Sequence, residues 1–202
     1  MAQNNGLIIG IIALLVIGGV AWYFLNAPGA VSTDNLSPTA FAQQNNSVLQ
    51  AAQATLTPQG TITLSELFNM EDSQLRQLES LTNNSPPNES IRSFNTIIRL
   101  TAQAAIKEHE LRAIATQISQ IQSDAYCAQL SLFIARDQAG SEMIQLLKQG
   151  KQAIMQFSTN YPELATAYGL ASEEYDYSAA EAAQSEREQT TQSLQASCQG
   201  AN

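Results

Sequence analysis

Apolar residues follow three successive patterns along this chain. They run almost unbroken from Leu7 to Leu25, thin out over residues 27–62, and from Thr63 onward recur at steps of three and four. The first pattern covers 19 residues without a charged side chain, and 12 of them are Leu, Ile, Val or Phe. As a helix rising 1.5 Å per residue it would be roughly 28 Å long, close to a hydrocarbon core of about 30 Å. Each of those apolar residues contributes about −0.3 to −0.6 kcal/mol at the membrane centre, so the sum, roughly −4 to −7 kcal/mol, favours insertion. Trp22 and Tyr23 stand at one end, where aromatic rings prefer the headgroup boundary. Residues 1–26 therefore predict a transmembrane anchor.

A cleavable export signal has a basic start and an apolar core of about 7 to 15 residues. Here "MAQNN" has neither Lys nor Arg, the core is longer, and Pro28 fits poorly before the one plausible cut, after "APGA". The anchor is read as uncleaved. Gly6 and Gly10 form one GxxxG, a spacing that lets membrane helices approach closely. The first Lys or Arg is Arg76, so no basic residue near the anchor holds the body on the inner side. The expected topology is a cytoplasmic N-terminus and a periplasmic or extracellular body.

Residues 27–62 are rich in Ala, Gln, Ser, Thr and Asn and are interrupted by Pro38, Pro58 and Gly60. They read as a polar linker. Within them "SPTAFAQQNNSVLQAAQ" is compatible with one helix, capped by Ser37 with Pro38 at its first position. Asn45, Asn83 and Asn88 each begin an N-x-S triplet, a pattern that arises easily in such a composition.

Residues 63–202 predict a helical-bundle domain. Thr63 and Glu66 have the spacing of a capping box before a helix bearing Leu64, Leu67, Leu75 and Leu78. Asn88 then caps the segment with the strongest pattern. Its seam runs through Ile97, Leu100, Ala104, Lys107, Leu111, Ile114, Ile118, Ile121 and on to Leu132, broken only by Lys107. A lysine stem tolerates such a place with its amine in water. The seam reads as one long heptad-patterned helix, within a bundle or between chains. Gly140 and Ser141 then mark the expected turn; a break at Ser123–Asp124 is the alternative, giving two helices of nearly equal length. Ser178 and Glu181 open a last helix, rich in alanine and poor in large apolar groups. The fold class is all-α: membrane helix, polar tether, elongated bundle.

Composition adds two constraints. With 18 acidic against 9 basic residues the net charge is −9, which argues against nucleic acid and anionic lipid as partners of the soluble part. The two cysteines, Cys127 and Cys198, lack metal-ligand spacing; in an exported domain they are expected to form a disulfide. That bridge would fasten the polar last helix to the flank of the long one, where Tyr126, Leu130, Phe133 and Ile134 need cover.

Signs of catalysis are absent. The single histidine, His109, lies between two glutamates in "KEHEL" and reads as exposed; a metal site would want a second His or Cys on its face. "SEEYDYS" (172–178) lacks the ligand ladder of a calcium loop and reads as solvated. No cofactor or metal is expected, and the chain is not read as an enzyme. The expected function is a membrane-anchored scaffolding subunit. Its partners are the lipid bilayer and other proteins of a membrane assembly, with a homo-oligomer among the possibilities. Two alternatives stay open: a sensor-like bundle binding a ligand or peptide, and a structural component of a membrane-containing virion.

Overall fold

The computed structural model describes residues 36–53, 60–84, 88–170 and 177–200. Among them the regular structure is α-helical, with short 3-10 turns. No helix among the described residues is long and apolar enough to cross a membrane. The hydrophobic stretch, with Gly6, Gly10, Trp22 and Tyr23, lies outside them.

The folded body begins earlier than the sequence suggested. Helices α1 (Pro38–Gln44) and α2 (Asn46–Ala51) sit where a linker was expected, and Phe41, Val48, Leu49 and Ala52 are buried in the main core. The proposed helix start is correct: the Ser37 hydroxyl accepts from Ala40 N at 3.3 Å, and Pro38 occupies the first turn. The helix breaks at Asn45, whose buried side chain donates to Asn95 Oδ1 at 2.9 Å. Four apolar residues at the right faces outweigh the surrounding polar composition.

Residues Leu64–Asn69 form a 3-10 turn, and the Thr63–Glu66 capping box is not made; Glu66 instead accepts from Asn69 Nδ2 at 3.1 Å. Helix α3 (Asp72–Asn83) starts after it, with the Gln74 side chain accepting from Glu71 N. Helix α4 (Glu89–Ser119) is capped by Asn88 as expected, its Oδ1 accepting from Ile91 N at 3.2 Å.

Two 31-residue helices, α4 and α5 (Leu130–Asn160), make an antiparallel hairpin of roughly 46 Å. The chain turns through two 3-10 segments, Ser123–Ala125 and Cys127–Gln129. The single long helix and the turn at Gly140 are thus both corrected: the break at Ser123–Asp124 is the one adopted. The seam spacing runs on through this corner, but its positions there are not the buried ones: Ala128 is exposed and Leu132 and Ala135 are half-buried, while Phe133 and Asp137 are buried. Leu132 belongs to α5, whereas the seam from Ile97 to Ile118 lies on α4.

Helix α6 (Pro162–Ala167) closes the base. It ends at Gly169, whose φ of +71° and bonds from Gly169 N to Thr166 O and Leu170 N to Ala165 O make a Schellman cap. At that base Phe41, Phe94, Phe157 and Tyr168 form an aromatic core with ring centres 5.1–5.9 Å apart. Helix α7 (Ser178–Gly200) runs along the distal part of α5.

Gly140 lies in the middle of α5 because α7 approaches there. A Cβ would overlap Gln184 Oε1 and come within 3.3 Å of Arg187 Nη2. At Gly150 the nearest atom to a Cβ is Leu100 Cβ, at an ordinary 4.0 Å. Gly150→Ala is therefore expected to stabilise by about 0.5–1 kcal/mol through helix propensity. Gly140→Ala, with the same propensity gain, is expected to destabilise by about 1 kcal/mol, because the buried Gln184 amide must shift off its bonds to Asp137 O and Arg187. Denaturant unfolding of the two variants side by side separates contact from propensity.

Candidate functional site

The distal half of the hairpin and its junction with α7 hold most of the polar chemistry. Only Gln184 and Thr191 of α7 are buried, so this helix docks with little apolar area. Gln184 Nε2 donates to Asp137 O and to Glu188 Oε1, both at 2.7 Å, while Gln184 Oε1 accepts from Arg187 Nη2 at 2.6 Å. Arg136 pairs with Asp137 at 2.7 Å and donates to Thr191 Oγ1 at 3.1 Å. Burial lowers the pKa of Arg187, and the like charge of Arg136 adds to that. Lys148 and Glu181 pair across the same two helices nearer the start of α7.

The far end is closed by a Cys127–Cys198 disulfide, the pairing expected from the sequence. Beside it Tyr126 and Phe133 meet edge to face at 5.3 Å, and Arg136 lies over the Phe133 ring. Phe133 is buried and Leu130 half-buried, whereas Ile134 stays 47 % exposed. The expected cover therefore reaches only part of this surface.

The seam residues divide between two environments. Ile97 is fully buried in the main core, and Leu100 is half-buried beside it. Leu111 packs in a second, smaller cluster with Ala139, Met143 and Ile144. Beyond it Ile114, Ile118 and Ile121 are only half-buried, as is Leu132 on α5. The two-helix part of the arm covers its seam incompletely.

Mid-arm charges are organised in ways the spacing did not reveal. Lys107 Nζ lies 3.0 Å from Glu110 and 2.7 Å from Glu142 of α5. The bond to Glu142 is the main reason its pKa is raised. His109, expected to be exposed, has a side chain 24 % exposed and is bonded at both ring nitrogens. The residue beside it, Glu108, is 3 % exposed; Arg112 pairs with Oε1, but Oε2 has no hydrogen-bond partner. Burial raises the Glu108 pKa, and Arg112 only partly opposes that.

Comparisons with family models, with characterised proteins and with solved structures return no match. The site has to be read from its own chemistry.

Among the described residues no group of His, Cys, Asp or Glu could hold a metal ion. The N-x-S asparagines have internal roles: Asn45 is buried against Asn95, Asn83 accepts from Arg99 Nη1, and Asn88 caps α4. An open groove between α2 and α3 is lined by the side chains of Asn46, Gln50, Gln74 and Gln77 over Leu49 and Leu81. The "SEEYDYS" carboxylates lie outside the described residues. What remains is a stiff arm with a polar, covalently closed end.

Glu108 gives a pH-dependent test of this arm. A buried carboxyl whose folded pKa is raised costs stability when ionised, and that cost fades as pH falls through the raised value. Glu108→Gln keeps an acceptor for Arg112 without the charge. It is expected to gain about 1–2 kcal/mol at neutral pH. The gain should vanish in acid, where wild-type Glu108 is itself neutral. Urea unfolding of both proteins across this range measures it.

Proposed function

We propose that this chain is a membrane-anchored structural subunit that spaces or bridges components of a membrane-associated assembly. The observation that carries this reading is the α4–α5 hairpin, a strut of roughly 46 Å built from two 31-residue helices. Its base is fixed by an aromatic core and its tip by a disulfide. Such an arm is suited to hold two attachment points at a set distance. The half-buried Ile114, Ile118 and Ile121 and the exposed Ile134 leave apolar surface near the tip for contact with other proteins. Residues 7–25 supply the membrane attachment, and the disulfide fits a body held in an oxidising compartment.

The test is extraction and copurification. The protein should remain in the membrane pellet through high-salt and alkaline washes and should copurify, in mild detergent, with partners at fixed stoichiometry. Recovery of a soluble, partner-free form beginning near Val31 would overturn the reading.

A further inference from the structure

We propose that His109 is a proton-controlled clamp that fastens the Leu64–Asn69 turn and the start of α3 to the middle of α4. Its Nδ1 lies 2.6 Å from Asp72 Oδ1, and its Nε2 lies 3.0 Å from Phe68 O. A carboxylate oxygen and a carbonyl oxygen both accept and neither donates. A neutral imidazole has only one N–H, so both bonds form together only in the doubly protonated ring.

The charges of Asp72 and Glu108 both favour the protonated ring, and Glu108, its own pKa raised by burial, is a second group here that changes with pH. Asp72 is its partner from α3, and Glu108 and Arg112 on its own helix pair with each other. Glu142 of α5 and Glu110 are tied to Lys107. Burial disfavours the ring's charged form, but the bonds to Phe68 and Asp72 outweigh it, and the pKa is raised above its ordinary value of 6.5. A raised folded value gives stability that is complete below the unfolded pKa and lost as pH rises through the folded one. The clamp is closed in mild acid and released on the alkaline side.

Release acts at a junction. Leu64 and Phe68 face Leu147, Gly150 and Ile154 of α5 and Tyr177, just before α7, around a small apolar void. Losing one bond at Phe68 or Asp72 loosens the lid over that void while the aromatic base stays packed.

His109 is the one histidine in the chain, so its ring signals in the full-length protein need no assignment. Their NMR titration should give a midpoint above 6.5, shifted downward in Asp72→Asn. Amide protection of residues 64–75, corrected for intrinsic exchange rates, should fall severalfold through the same midpoint. In His109→Gln that step should disappear, with protection held at the alkaline level. Should this variant fail to fold, Asp72→Asn, altered at a half-exposed carboxylate, carries the same two readouts. A midpoint at or below the ordinary value, or unchanged protection of residues 64–75 through the titration, would overturn the proposal. So would a step that persists in His109→Gln.

Discussion

Replacing Phe41 with alanine is expected to lower the unfolding free energy by about 3–5 kcal/mol, as deletion of a fully buried aromatic ring does. The ring has no exposed surface and lies 5.1 Å, centre to centre, from both Phe94 and Tyr168. Removing it takes away apolar burial and two aromatic contacts, and it leaves a cavity that the short α1 and α2 are poorly placed to fill. If residues 36–53 were a tether, the same substitution would change stability by no more than about 0.5 kcal/mol. Thr39→Ala, on the exposed side of α1, is the control and should stay within that range. Denaturant unfolding with an unchanged slope would place the loss in the native core.

Phe41 also shows where the sequence was legible and where it was not. The helical signal over Ser37–Gln53 was visible in its cap, its proline and its spacing. What composition obscured was destination, because a short helix with few apolar residues resembles a solvated spacer. Its neighbours in space, Phe94 and Tyr168, come from α4 and the end of α6, and no local pattern records that meeting. The hairpin corner was placed second to a turn at Gly140 for a related reason. The three-and-four spacing of apolar residues runs on through residues 120–129, which contain neither Gly nor Pro to mark a turn. Gly140 misled in the opposite direction, since a glycine in a helix interior can serve close approach instead of termination.

The candidate site was legible in its covalent part and opaque in its polar part. Two cysteines in a chain without metal spacing leave one intramolecular pairing, and the need to cover residues 126–134 indicated where it falls. The bonds from Arg136 to Thr191 and from Gln184 to Asp137, and the two bonds of His109, join residues 37 to 55 positions apart. Each of those residues, taken alone, belongs to an ordinary solvated surface. Long-range polar pairing depends on helix rotation to within a fraction of a turn, and hydrophobic spacing defines a face no more finely than that.

Breaking the disulfide is expected to free α7 before anything else. The bridge joins residues 71 positions apart, so the chain-entropy relation assigns it about 4 kcal/mol. For α7 that contribution is large, because only Gln184 and Thr191 are buried and most of the remaining attachment is hydrogen bonds and ion pairs with modest net value. In Cys198→Ser, or after reduction, amide protection over residues 178–200 should fall by about a thousandfold, the equivalent of that energy. The amides of Ile91–Ala105, in the aromatic base, should keep theirs, since that core has its own burial and is remote from the tip. Two outcomes would contradict this division of labour. Unchanged protection of α7 would mean that the Gln184 network is sufficient to hold it. Simultaneous loss in α7 and in Ile91–Ala105 would mean that the arm and base unfold as one unit, and a strut locked separately at its two ends would no longer describe the molecule.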